Sequence, residues 1–245
     1  IRAQAGINGY DLEHALNRQG YTLGHLPASI HSATLGGYLA ARGSGVLSTK
    51  YGKMEDIVMA VEVVLPTGEI IKTLPVPTHA SGPGILQLFV GAEGSYGIIT
   101  EVTSKIEKLP EERRFKAFLF NSLSEGIRAS RDIILNRIQP SVLRLYDEPE
   151  TKKRIKKILG LEFEGSYMVV GIEGDRDIVP ILEKRMTKIC MDYNARELEN
   201  KHAWEWWDHR YNFYFPPKAL DLPWMFGTMD TLCTFDKLEN LYATK

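Results

Sequence analysis

Two glycine-bearing stretches are the parts of this sequence with the clearest potential for chemistry. Residues 32–45 read SATLGGYLAARGSG, and a second loop carries Gly91, Gly94 and Gly97. Glycine has no Cβ, so its backbone N–H groups can come within hydrogen-bond reach of phosphate oxygens, and a helix N-terminus adds a favourable dipole. The two stretches could form two walls of a dinucleotide site. Tight turns or close packing are the alternative, because the spacing fits neither the Rossmann fingerprint nor the P-loop.

Arg144 is the second candidate, because it interrupts the apolar stretch SVLRLY. The period of a strand puts Val142, Arg144 and Tyr146 on one face and Leu143 and Leu145 on the other. A guanidinium fork suits a carboxylate or a phosphate, which favours an anion anchor. An exposed strand arginine whose stem covers apolar surface is the alternative.

The aromatic stretch WEWWDHRYNFYF, residues 204–215, is the third candidate. It predicts either core packing of one helix face or a groove for an alkyl or acyl chain. His202, Glu205 and His209 fall at i, i+3 and i+7, but no further ligand is tied to them by sequence, so we predict no metal site. No Ser-His-Asp set or carboxylate pair is convincing, and the catalytic residues stay unknown.

Composition limits the class of protein. The 245 residues are 44% hydrophobic and 25% charged, which is typical of a globular chain with two modest domains. A net charge of −1 argues against nucleic acid as a partner. Cys190 and Cys233 lack metal-ligand spacing and suit the reduced thiols of a cytoplasmic protein. The KKRIKK run, residues 152–157, reads as a solvated helix face, and a peripheral contact with an acidic lipid surface is kept open.

The secondary structure changes character near Pro110. Before it we predict a short helix capped by Asp11, a hairpin in IVMAVEVVLPTGEIIKT and a strand over residues 98–106. After it, the strands RRFKAFLF, SVLRLY and SYMVVGIEG alternate with helices, a pattern that predicts a sheet covered by helices on one side. In the last helix we predict a cap at Asp175 and an apolar stripe of Ile178, Ile181, Leu182, Met186 and Ile189. The predicted domains are residues 1–109 and 110–245.

The segment GYTLGHLPASIHSATLGGYLAARGSGVLSTKYGKMEDIVMAVEVVLPTGEI, followed by GPGILQLFVGAEGSYGIITEVTSKI, carries a family resemblance. It resembles the second half of the PCMH-type FAD-binding domain of the vanillyl-alcohol oxidase type flavoproteins, over most of residues 5–108. GHLPASIHSATLGGYLAARGSG and PSVLRLYDE are most similar to the alkyldihydroxyacetonephosphate synthase branch. The resemblance implies an α+β fold: the second half of that FAD-binding domain, then part of an α/β cap domain with an antiparallel sheet covered by helices.

The resemblance also implies that FAD is bound non-covalently by three segments, with Thr34, Ser44 and Ile99 as preferred contacts. Ala28 stands where an acidic residue is common in the family, so one side-chain contact is in doubt. The implied contacts are Ala28, Ser29, Ile30, His31, Ser32, Ala33, Thr34, Gly36 and Gly37 in the first segment, Ala41, Arg42, Gly43 and Ser44 in the second, and Glu93, Gly94, Ser95, Tyr96, Gly97, Ile98 and Ile99 in the third.

By the same likeness the activity would be the exchange of an acyl for an alkyl chain through a flavin adduct, in ether lipid synthesis. Arg144 matches the substrate-binding arginine of the synthase motif RLMD. The alternatives are an FAD-linked D-2-hydroxy acid dehydrogenase or oxidase, in which Arg144 would bind a carboxylate, and a non-catalytic fragment. We expect a small-molecule or lipid-like substrate and keep a homodimer open. The family's first glycine-rich loop and its catalytic histidines and tyrosine match nothing here, so we expect a piece of a longer polypeptide.

Overall fold

The computed structural model describes residues 1–77, 80–211 and 230–244. The chain divides into two compact units, Ile1–Pro110 and Glu111–Lys245. Each unit has its own cluster of buried apolar side chains, as expected for separately packed domains.

The first unit is built on a four-stranded antiparallel sheet of order β1-β5-β3-β4, with a separate β2-β6 pair. The predicted hairpin is confirmed as β3 and β4. The elements are β1 (Arg2–Gln4), α1 (Gly9–Asn17), β2 (Tyr21–Thr22), α2 (Leu35–Ala40), α3 (Ser48–Tyr51), α4 (Met54–Ile57), β3 (Val58–Val64), β4 (Ile70–Lys72), a 3-10 turn (Ile85–Leu88), β5 (Ile98–Ser104) and β6 (Glu107–Lys108).

The core of this unit lies against one face of the sheet. Leu12 and Leu16 are one turn apart on α1 and face this core. The predicted cap at Asp11 is wrong, because the side chain of Asn8 caps the helix by accepting the Tyr10 amide. Thr34 is the N-cap of α2, and its hydroxyl accepts the Gly37 amide. α2 packs against the inner strand β5 and against α4, and its apolar residues join the core. The buried members from α2, β3 and β5 are Leu35, Tyr38, Leu39, Val58, Val61, Val63 and Val102.

The second unit carries an antiparallel sheet of order β10-β7-β9-β8, so the predicted cap-type sheet is confirmed. Its elements are β7 (Glu112–Phe120), α5 (Leu123–Leu135), β8 (Val142–Tyr146), α6 (Glu148–Glu150), a π-helical turn (Thr151–Ile155), α7 (Lys156–Leu159), β9 (Ser166–Gly174), α8 (Val179–Asp192), β10 (Arg196–Glu197), α9 (Asn200–His209) and α10 (Phe235–Ala243).

Helices cover both faces of this sheet, whereas the sequence predicted one. Phe118 and Met168 point into the core under α5 and α8. On the opposite face, the rings of Phe115 and Trp207 of α9 are stacked with centroids 4.9 Å apart. The Arg113 guanidinium lies over Trp207 and pairs with the buried carboxylate of Glu173 at 2.5 Å. Because side chains alternate along a strand and are apolar on both faces of this sheet, helices must pack on both faces to bury them.

Two predicted details of α8 are wrong. The helix begins at Val179 with proline in its first turn, and Asp175 instead closes the preceding turn by accepting the Asp177 amide. Ile178 and Ile181 are 52% and 60% exposed. The buried face consists of Val179, Met186 and Cys190, with Leu182 and Ile189 partly buried beside it. The predicted apolar stripe therefore included two exposed residues, Ile178 and Ile181, and omitted the buried residues Val179 and Cys190.

Candidate functional site

A crevice of about 370 Å³ in the first unit brings two distant glycine-bearing segments together. Gly36 and Gly97 are 61 positions apart, yet both line it. Of the predicted cofactor contacts, the structure gathers Thr34, Gly36, Gly37, Glu93, Gly94, Gly97, Ile98 and Ile99 on its walls. The dinucleotide-site interpretation requires a shared crevice, and the fold provides one.

The other predicted contacts lie in the segments that lead into and out of the crevice. Residues 28–33 fold back on the start of α1, where the Ile30 carbonyl accepts the Tyr10 amide and the Ala33 carbonyl accepts the Gly9 amide. Residues 41–44 follow the end of α2. Ser95 and Tyr96 form the turn between Gly94 and Gly97, which leaves Tyr96 60% exposed. Their contacts with a cofactor stay predictions.

Sequence reasoning missed five lining residues: Ala5, Gly6, Ala40, Phe89 and Ala92. The AQAG stretch at the start of the chain was a third small-residue segment and could have been found by the criterion applied to the other two. Phe89 and Ala92 flank a predicted loop. No feature of the sequence indicated that Ala40 lines the crevice, because its exposure there depends on how α2 packs.

The crevice glycines differ in what they do. A Cβ at Gly36 would lie 2.7 Å from the Ala5 Cβ, so close packing requires that glycine. A Cβ at Gly94 would have nothing within 4 Å and would stand in the open crevice. Part of the glycine pattern therefore serves packing, as in the alternative interpretation, and part leaves the crevice open.

The lining also indicates which part of a dinucleotide would fit. It is dominated by small and apolar residues, and among its lining residues Glu93 is the one charged side chain. A carboxylate beside a diphosphate would be repulsive, whereas a flat, largely apolar ring can lie against bare backbone and aliphatic side chains. The crevice suits the ring system better than the phosphates.

His25 lies buried beside this region at 2% exposure. Its ring meets the Tyr38 ring edge-on, with centroids 4.6 Å apart. Neither ring nitrogen has a hydrogen-bond partner among the described residues. Burial lowers the pKa of His25 from 6.5 to about 4, because the charged imidazolium would lose its hydration.

Acid should therefore destabilise the chain through His25. His25 takes up a proton near pH 6.5 in the unfolded state and only near pH 4 in the folded state. The free energy of unfolding therefore keeps its full value above pH 6.5 and decreases as the pH falls towards 4. The full loss is about 3 kcal/mol. In urea unfolding at pH 7 and pH 4, wild type should lose about 3 kcal/mol more than His25→Phe. Equal losses in the two proteins would exclude this origin.

Arg144 occupies the predicted position on β8 in the second unit. It pairs in register with Val169 of β9, which places it on the sheet face that α9 covers, while Leu143 and Leu145 pack into the opposite core. Its side chain is exposed. Burial raises the pKa of Tyr211, and the positive charge of Arg210, with a smaller contribution from Arg144, opposes that rise. Exposure leaves the guanidinium accessible to an anion.

Where the structure describes the aromatic stretch, Trp206 and Trp207 are core packing, whereas Trp204 is 39% exposed. Trp206 is buried and its indole N–H donates to the Tyr146 hydroxyl at 3.0 Å. Residues 212–215 lie outside the described residues. His202 Nδ1 is 3.5 Å from a Glu205 carboxylate oxygen, whereas the His209 ring contacts the Glu205 carbonyl. Within the described ranges, no three His, Cys, Asp or Glu side chains are arranged to hold a metal ion.

The basic run 152–157 is largely neutralised by neighbouring carboxylates. Lys152 pairs with Glu148 at 2.6 Å, and Arg154 pairs with Glu150. This favours the solvated helix face. In the part of the chain that is described, every helix is too short or too polar to cross a membrane.

Two family descriptions match the chain. "FAD binding domain" matches residues 1–74 and "FAD linked oxidases, C-terminal domain" matches residues 109–244. The second match covers more than half of the chain. These matches define an FAD-dependent flavoprotein. The chain belongs to the FAD-linked oxidase family, and its cofactor is FAD.

Individual relatives agree with that assignment. The chain is 45% identical, over 61% of its length, to the alkyldihydroxyacetonephosphate synthase of Caenorhabditis elegans, covering 25% of that protein. It is 32% identical, over 60% of its length, to the glycolate oxidase subunit GlcD of Bacillus subtilis, covering 31% of it. A solved alkyldihydroxyacetonephosphate synthase matches 99% of this chain and 50% of its own, with a TM-score of 0.78 at 29% identity. The chain spans between 25% and 43% of the length of its curated relatives.

Proposed function

We propose that the chain is part of an FAD-dependent alkyldihydroxyacetonephosphate synthase-like enzyme. The observation that carries the proposal is the extent of the likeness. A solved protein of that name matches both the crevice unit and the arginine-bearing sheet unit, over 99% of this chain. By sequence, the alkyldihydroxyacetonephosphate synthase of Dictyostelium discoideum matches 98% of the chain, whereas the glycolate oxidase relative matches 60%.

In this proposal FAD supplies the chemistry that exchanges the chain on the substrate, and the protein binds and orients both partners. The reaction is redox-neutral: a fatty alcohol replaces a fatty acid on the substrate carbon, the bond to the acyl oxygen breaks, the bond to the alkyl oxygen forms, and the acid leaves with one proton released. The small, apolar walls around Gly36, Gly94 and Ile99 hold the flavin ring and exclude water. Arg144 binds the substrate's anionic group through its guanidinium fork.

An FAD-linked D-2-hydroxy acid dehydrogenase is the second candidate. The glycolate oxidase relative favours it, and an exposed guanidinium such as that of Arg144 accommodates a carboxylate as readily as a phosphate.

One assay separates the candidates. The full-length polypeptide, loaded with FAD, is mixed anaerobically with D-lactate or glycolate, and separately with an acyl-dihydroxyacetone phosphate and a labelled fatty alcohol. Label incorporation without flavin bleaching is the expected result. Bleaching by the hydroxy acid without incorporation would replace our proposal with the dehydrogenase. A polypeptide that retains no FAD and does neither would indicate the non-catalytic alternative.

A further inference from the structure

The C-terminal end of α2 holds two of the three predicted cofactor segments at once. Its last carbonyl groups accept amides both from the residues that directly follow the helix and from the loop that begins at Gly91. The bonds run from Gly43 N–H to the Tyr38 carbonyl at 2.8 Å, from Arg42 N–H and Gly91 N–H to the Leu39 carbonyl at 3.0 and 2.9 Å, and from Glu93 N–H to the Ala40 carbonyl at 3.1 Å. The relative position of the two segments therefore depends on this one helix end.

Arg42 has an unfavourable backbone conformation at this helix end. The pair of bonds from Arg42 and Gly43 is the Schellman arrangement, in which the position that Arg42 occupies is usually glycine, because it is left-handed. Arg42 has φ = +52° there, and a Cβ makes that conformation costly. Glu93 in the other segment is also left-handed, at +48°. Non-glycine residues keep such conformations when their surroundings determine them.

Glu55 supplies a restraint on Arg42. Its carboxylate lies 2.7 Å from the Arg42 Nε, and it belongs to the first turn of α4. α4 is itself tied to the same loop, since the Met54 amide donates to the Gly43 carbonyl at 3.2 Å. The stem of Arg42 lies against Gly91, where an added Cβ would be 3.3 Å from the Arg42 Cβ. One side chain thus bridges Glu55 and the second segment.

We propose that Glu55 is a positioning residue for the flavin crevice. Its carboxylate holds Arg42 in the left-handed conformation, which keeps residues 41–44 and 91–94 bonded to the end of α2 before FAD arrives. Glu55 is outside the lining and acts through Arg42. The inference rests on the crevice being the flavin site. An exposed ion pair with no such role would contribute almost nothing to the structure.

The test is Glu55→Gln in the apo chain, read by amide hydrogen exchange. We expect the Gly43, Gly91 and Glu93 amides to exchange about tenfold faster, while the buried amides of α1 stay unchanged. Flavin titration, followed by fluorescence quenching, should show a dissociation constant for FAD raised by about tenfold. The exchange readout needs no cofactor, so it decides the inference even if wild type fails to bind FAD under the assay conditions.

A second variant provides rescue. Glycine adopts the left-handed conformation without a restraint, so Glu55→Gln combined with Arg42→Gly should return the Gly43 and Gly91 exchange rates to near wild type. The matched control is Glu148→Gln, which removes the carboxylate of another exposed pair, with Lys152, and should change neither readout. Unchanged exchange in Glu55→Gln, or a double variant that exchanges as fast as the single one, would overturn the proposal.

Discussion

Gly97→Ala is expected to destabilise the first unit by about 4 kcal/mol and to abolish FAD binding. Gly97 has φ = +154°, a region that essentially only glycine adopts. A Cβ there would lie 2.7 Å from the Val64 carbonyl oxygen and 2.7 Å from the Val63 Cγ1. Both neighbours belong to the central strand β3, so neither can move away without disturbing the sheet.

Gly94→Ala is the matched control, since Gly94 is also left-handed at +83° and lines the same crevice. Its Cβ would meet no atom within 4 Å, so only the backbone strain remains, about 1 kcal/mol. That methyl group would stand in the crevice in which we propose that the flavin binds. Gly94→Ala should therefore weaken FAD binding in a chain that is still folded, whereas Gly97→Ala should lose both the fold of the unit and the cofactor.

The two units can be followed separately during unfolding. All four tryptophans come after Pro110 in the sequence, and the three that the structure describes, Trp204, Trp206 and Trp207, belong to the second unit. In urea, their fluorescence should report an unchanged transition in both variants, while circular dichroism shows an earlier transition of the first unit in Gly97→Ala. Equal stability of the two alanine variants would show that the contact with β3 is not the constraint that the structure indicates.

Arg144→Met is expected to lower kcat/KM by about a hundredfold in the FAD-loaded full-length protein, with whichever substrate class proves active. Loss of a charged partner from a bound anion costs about 3 kcal/mol, which corresponds to that factor. The guanidinium is exposed on its sheet face, so the free energy of unfolding should hardly change. Steady-state kinetics beside a urea titration measures both quantities.

Arg144→Lys should recover only part of the loss, because an ammonium group keeps the charge but not the paired N–H geometry. Arg131→Met is the control, since Arg131 lies on α5, which covers the opposite face of the sheet, and pairs with Asp132. It should leave kcat/KM unchanged. An Arg144→Met enzyme with wild-type kinetics would remove Arg144 from the proposed site.

Much of the local structure was predictable from the sequence. The alternation of β3 and its Pro66-Thr67-Gly68 turn predicted the hairpin, and SYMVVGIEG predicted β9 over its observed residues. The residue type of Gly36, Gly94 and Gly97 indicated a crevice of bare backbone. These features depend on the period and chemistry of neighbouring residues, which a sequence displays directly.

Other features were decided by tertiary structure. The sequence alone placed the start of α8 three residues early and predicted one covered sheet face, although α9 covers the second. It also gave no sign that Gly97 lies so close to β3, or that Glu55 pairs with Arg42. These contacts depend on which distant segments the fold brings together, and the periodicity of a segment reports only the faces of its own helix or strand.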